Sequence, residues 1–174
     1  MSPGDTTLAR DRRAIIERSP VGLTFMQEIG LHGHLIVVLV AVVTTLICVG
    51  LHYETLDGMR RLVAGLKHRR PRMLMFIVVI LMLHTAEIWL FACAYYLLTE
   101  LFDVATFVGL AVEDIADYAY YSAMVYTTVG FGDITPSGPV RSLTQVEAVT
   151  GLVMITWSST YTFLEMQSTW YRRN

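Results

Sequence analysis

"MVYTTVGFGDITP", residues 124–136, sets two threonines, two glycines and an aspartate in a row inside a chain that is otherwise largely apolar. Gly130 and Gly132 alternate with Val129 and Phe131. Glycine takes positive φ without a Cβ penalty, so the alternation lets the backbone change handedness at every second residue. Just upstream, "DYAYYSAMVY" reads as a short helix, with Asp117 as its N-cap. Crossing a bilayer takes about 20 residues, and this helix has only about half of that. A short helix followed by irregular backbone is tolerated at membrane depth only where it is buried in protein or lines a water-filled path.

Membrane depth is the right frame, because long apolar blocks lie on both sides. Hydrophobic residues make up 54% of the 174 and charged residues 16%, more apolar and less charged than a soluble domain. Three blocks are long enough to span: residues 31–53 with an uninterrupted core at 35–51, residues 73–98, and residues 142–166. Each is expected to be a helix, since lipid offers the backbone no other hydrogen-bond partner. The expected fold is an all-α membrane protein of three transmembrane helices, with a re-entrant pore helix at 117–127 and a loop at 128–133. Cys48 and Cys93 fall inside apolar blocks and read as small hydrophobes, not a disulfide pair. The first 30 residues lack a signal-peptide layout.

Charge placement orients the spans. Residues 54–72 carry Arg60, Arg61, Lys67, Arg69, Arg70 and Arg72, whereas residues 99–140 contain no lysine or arginine and six acids. The basic loop is therefore expected inside and the acidic one (99–116 before the pore helix) outside. That puts the N-terminal segment, residues 1–30, outside and the tail, residues 167–174, in the cytoplasm. Arg10, Arg12, Arg13 and Arg18 run against this orientation on the N-terminal segment. Leu56, Met59, Leu62, Val63 and Leu66 recur at helical spacing opposite the arginines. They fit either a helix lying in the interface, with Arg60, Arg61, Lys67, Arg69 and Arg70 on anionic lipid, or a solvated basic loop. Nothing in the pattern suggests nucleic-acid binding.

A strand that alternates in handedness can aim successive carbonyls the same way. Four of them around one axis would make stacked rings of oxygens able to replace a cation's water shell. "TTVGFGD", with its preceding aromatic helix and flanking spans, resembles the selectivity-filter signature and pore module of the potassium channel family. The resemblance covers roughly residues 73–166, and the three-span layout is similar to small prokaryotic channels with a single pore loop. It implies a potassium-selective channel in the cell membrane, not an enzyme, with K+ ions as its only bound group and no organic cofactor. One filter per chain cannot close a ring, so a homotetramer is implied too. Ion sites would come from the carbonyls of Thr128, Val129, Gly130 and Phe131. Gly132 would turn the chain outward, and Asp133 would sit at the external mouth. Thr127, Tyr120 and Tyr121 would support the filter from the pore helix, either tyrosine being near enough to partner Asp133. Phe131 stands where many members carry tyrosine, and Met124 where some carry glutamate. A non-conducting membrane subunit is the rival reading; an intact glycine-punctuated filter argues against it.

The family also places a hinge near Gly151, though close helix packing explains a mid-span glycine equally well. Leu152, Ile155, Ser159 and Phe163 share a face and would line an inner cavity, with Phe163 as a candidate dewetting gate. Ionisable groups inside the later two spans include His84, Glu87 and Glu147. His84 and Glu87 are three apart and share a helix face, but no second histidine follows to complete a zinc motif. They are expected to pair with each other or with Tyr126 or Thr127, joined by Glu147, as structural glue or as a pH-sensing cluster. No span carries the regular arginines of a voltage sensor, and the tail after the last span is too short for a ligand-binding domain. His32 and His34, near the outer end of the first span, and the first span itself have no assignable role.

Overall fold

The computed structural model describes residues 20–64 and 69–171. The expectations for residues 1–19, for the side chains of Arg60, Leu62, Val63, Leu66, Lys67 and Arg69, and for the end of the tail lie outside the described residues. The elements are α1 (Pro20–Ala64), α2 (Arg69–Tyr96) extended by a π-helical turn (Leu97–Leu101), β1 (Thr106–Gly109), α3 (Ile115–Tyr126), β2 (Ile134–Ser137), a 3-10 turn (Gly138–Val140) and α4 (Arg141–Tyr171). Two compact units divide the chain: one runs through Ile36, and the other from Val37 to the end.

The helices of the second unit are apolar outside as well as inside. On α1, Val37, Ala41, Thr44, Cys48, His52, Leu56 and Met59 are buried at three- and four-residue spacing, while Leu39, Leu46 and Ile47 on the other faces stay exposed. On α2, Phe76, Leu83, Glu87, Phe91 and Tyr95 turn inward, whereas Leu74, Val78, Leu81 and Met82 face out. Apolar surface this continuous is not left in water; hydrocarbon is its natural solvent. The interior is itself mostly apolar, but it also takes in Thr44, His52, Glu87, Ser122, Glu147, Thr150 and Ser158. Leu31–Met59 of α1 and Arg70–Leu101 across α2 and its π turn are long and apolar enough to cross a membrane. α4 has 31 residues but carries a hydroxyl in nearly every turn. Those hydroxyls are spent locally: Thr150, Thr156, Ser159, Thr160 and Thr162 each donate to the carbonyl four residues back. Backbone bonding of this kind removes the penalty of an unpaired hydroxyl in an apolar setting.

In the basic segment 54–72, α1 continues to Ala64 and α2 begins at Arg69. Leu56 and Met59, expected at the lipid interface, are buried against Phe76, with Trp157 and Tyr161 of α4 closing the cluster. Phe76 stacks on Tyr161 at 5.5 Å between ring centroids. Of the arginines, Arg61 pairs with Asp57 one turn earlier, and Arg72 reaches across to Glu165 of α4.

Two details depart from the all-α, Asp117-capped expectation. β1 and β2 form a small antiparallel sheet in the register Thr106↔Ser137 to Gly109↔Ile134. It joins the acidic loop to the stretch after residues 128–133. Gly109 is obligatory there: with φ +118 and an added Cβ only 2.0 Å from the Asp133 carbonyl oxygen, no side chain fits. The cap of α3 is Asp114, not Asp117. Asp114 accepts from the backbone N–H of Ala116 at 2.8 Å and of Asp117 at 3.1 Å. Asp117, three residues on, accepts in return from the Asp114 N–H at 3.2 Å and the Glu113 N–H at 2.8 Å. This reciprocal pair is a capping box built from two aspartates, and it starts the helix at Ile115, three residues earlier than a single cap at Asp117 would.

Candidate functional site: the loop after α3 and its supports

α3 ends at Tyr126 with Thr127 as its C-cap; the Thr127 hydroxyl donates to the Ala123 carbonyl at 2.6 Å, within its own helix, not to His84 or Glu87. The backbone then alternates. Thr128, Gly130 and Gly132 have φ of +61, +55 and +79, and neither Val129 nor Phe131 between them is positive. For the two glycines nothing lies within 4 Å of an added Cβ, so the requirement is conformational, not steric crowding. Thr128 is the telling member, because a β-branched residue with positive φ is a true outlier. Strain of this sort costs about 1–3 kcal/mol and gathers at functional sites. The strand is bare on this chain: Val129 is 52% and Phe131 71% exposed.

Asp133 closes the run under tight control. Tyr120 Oη donates to Asp133 Oδ2 at 2.6 Å, so of the two tyrosines considered Tyr120 makes the contact. Asp133 Oδ1 accepts from the Ile134 N–H at 3.0 Å, and its carbonyl accepts from the Leu110 N–H at 2.9 Å. Tyr121 points elsewhere, its hydroxyl 2.9 Å from Thr144 Oγ1 on α4. It also borders a small cavity of about 170 Å³ behind the loop, with Met124, Phe131 and Thr144. Around it, Tyr95, Phe107, Tyr118 and Tyr121 interlock edge to face, the arrangement that aromatic quadrupoles favour.

Behind α3 the ionisable groups form two clusters, not the single one expected. In the first, Glu87 of α2 collects three donors: His52 Nδ1 at 2.8 Å, His84 Nδ1 at 3.0 Å and the Tyr126 hydroxyl. Tyr126 Oη also lies 2.9 Å from His84 Nδ1. Ser158 Oγ of α4 sits 3.2 Å from His52 Nε2. The pairing of His84, Glu87 and Tyr126 is among those the sequence offered; His52 and Ser158 were missed. The only hint was that His52 falls on the buried face of α1, one turn after Cys48. In the second cluster, Glu147 of α4 receives the Tyr95 hydroxyl at 2.5 Å and stands 2.5 Å from Ser122 Oγ. Ser122 Oγ is also 2.8 Å from the Ile88 carbonyl. Glu147 thus does not join His84 and Glu87: Leu143, Glu147, Thr150 and Gly151 share the buried face of α4, and Glu147 meets the middle of α3 where Ser122 is, not its end.

Gly151 lies against that end. An added Cβ would come within 2.2 Å of the Tyr126 carbonyl oxygen and 2.9 Å of its carbon. Close helix approach therefore accounts for this glycine directly. Leu152 and Phe163 are exposed. Ile155, Ser159 and Phe163 border a cavity of about 460 Å³ together with Ile77, Leu81 and His84 of α2.

A two-helix apolar frame, a short buried helix and an exposed strand of alternating handedness define a pore-type membrane protein. A family model described as "Ion channel" matches residues 74–168, more than half of the chain, and the chain belongs to that family. The match supports the resemblance to the potassium channel family. It is a family of channels, not of enzymes. No curated protein and no solved structure matches the chain.

Proposed function

We propose that this chain is a potassium-selective channel that conducts K+ passively through a homotetrameric pore. The observation that carries the reading is the run of positive φ at Thr128, Gly130 and Gly132 on a loop whose Val129 and Phe131 are left exposed among the described residues. Strain at a β-branched residue needs a return, and rings of carbonyls around a dehydrated cation supply one. Exposed Val129 and Phe131 find cover when four copies meet. In that assembly the carbonyls of Thr128 to Phe131 hold K+, and Asp133, pinned by Tyr120, sits at the outer mouth. α1, α2 and α4 each cross the membrane, the first from outside to inside. Arg60, Arg61, Lys67, Arg69 and Arg70 then meet anionic lipid on the cytoplasmic side. Leu152, Ile155, Ser159 and Phe163 border the inner pathway.

The test is flux. Purified protein in liposomes should pass K+ and exclude Na+, and cross-linking should trap a tetramer. Vesicles that pass Na+ as readily as K+ would end the selectivity reading, and tight vesicles with correctly assembled protein would favour a non-conducting subunit.

A further inference from the structure

Outside the filter, one cluster has the donors of a metal centre. His52, His84 and Glu87 bring two imidazoles and a carboxylate together, their nearest ligand atoms all within 4.8 Å of one another. We propose that these three side chains form a binding site for a divalent transition metal of the zinc class. This inference does not rest on conduction.

The donor set fits. Two histidines and one acid are a recurrent ligand group for zinc and for other first-row metals that accept imidazole. Zinc donors about 2.0–2.2 Å from the ion, in a tetrahedron, lie roughly 3.5 Å apart. The widest separation here must close by a little over 1 Å, which small rotations of the two rings supply. His52 and Glu87 are fully buried and His84 is part-buried, so two of the three donors are already desolvated and the third faces the cavity. Outer contacts are in place too. Ser158 Oγ, 3.2 Å from His52 Nε2, can donate to that nitrogen or accept from it. The His52 proton can therefore move from Nδ1 to Nε2 when Nδ1 takes the metal, leaving the ring neutral. Such outer partners orient histidine ligands and typically set affinity by 10–100-fold. Tyr126 Oη, beside both His84 and Glu87, stands where a fourth ligand or a bound water belongs. There is also a way in: His84 and Ser158 both line the 460 Å³ cavity between α2 and α4, whose other polar walls are Ser159 and Thr162.

The site matters because of what it holds. Glu87 is the acceptor for Tyr126, the last residue of α3, two positions before Thr128. A cation that takes Glu87's oxygens competes with Tyr126 for them and so reaches the filter from behind.

Cobalt(II) is the probe, added to full-length protein purified in detergent on a tag without histidine. The expected result is saturable binding of one Co2+ per chain, read from its visible d–d bands and displaced by Zn2+. His52→Gln and Glu87→Gln should each weaken binding at least tenfold. His84→Gln, which leaves the buried His52–Glu87 pair intact and so tests the site even if the others misfold, should do the same. His32→Gln with His34→Gln should leave it unchanged. Absence of saturable binding in the native chain, undiminished affinity in folded His84→Gln, or loss of binding in the His32/His34 variant would each overturn the proposal.

Discussion

Replacing Gly151 with alanine separates two meanings of a glycine in the middle of α4. The new Cβ would meet the Tyr126 carbonyl oxygen at 2.2 Å and its carbon at 2.9 Å. Ordinary carbon contacts begin near 3.5 Å, so α4 must back away from the end of α3 by roughly 1 Å. Both partners are backbone, and no flexible side chain can yield. Overpacking costs about 1–3 kcal/mol, and a clash between two helix backbones belongs near the upper figure. Against it stands about 1 kcal/mol gained when alanine replaces glycine in a helix. The net loss is about 2 kcal/mol per chain, roughly a thirtyfold shift toward the unfolded state. Unfolding of the purified protein in detergent, followed by circular dichroism against temperature and denaturant, reads it directly. A hinge glycine makes the opposite forecast, since alanine would stiffen and stabilise the helix while reducing opening. A Gly151→Ala protein that melts at or above the native temperature would refute the packing argument.

Glu147→Gln should keep native stability, because an amide offers Ser122 a donor and Tyr95 an acceptor. Glu147→Ala leaves the buried Tyr95 hydroxyl only its longer 3.3 Å contact to Thr144 and should cost about 1–3 kcal/mol, and the same melting assay compares the two. Asp114→Ala should cost about 0.5–2 kcal/mol and speed amide exchange at Ala116 and Asp117; unchanged exchange there would remove Asp114 as the cap. Phe131→Tyr should slow the decay of current during sustained opening, because the phenol can add a hydrogen bond worth about 0.5–1.5 kcal/mol. Identical decay kinetics would exclude that support. Phe163→Ala should raise the resting open probability, measured by single-channel recording, and a channel that stays shut would count against a gate at Phe163.

The sequence was most legible where one residue type has few alternatives. Alternating glycines could hardly serve anything but a backbone of alternating handedness, and the apolar blocks could hardly be anything but long helices. It was less legible where a partner lies far along the chain. His52 is 35 residues from Glu87 and 106 from Ser158, and no local spacing connects them. Glu147 was placed with the wrong acid because a helical wheel gives the face of a helix but not the height at which it meets its neighbour. The capping box was readable in "EDIAD", yet an aspartate at the third position stands where glutamate or glutamine usually does. The β1–β2 pair spans only four residues a side, too little pattern to separate from loop.

His52 changes what the first helix is for. A minimal two-helix pore cut from this chain, or grafted after another partner, would inherit a buried acid short of one of its three donors. Any lineage that sheds α1 must therefore recruit a new donor for Glu87 or surrender the carboxylate. The dispensable-looking leader is, in hydrogen-bond terms, part of the pore's own foundation.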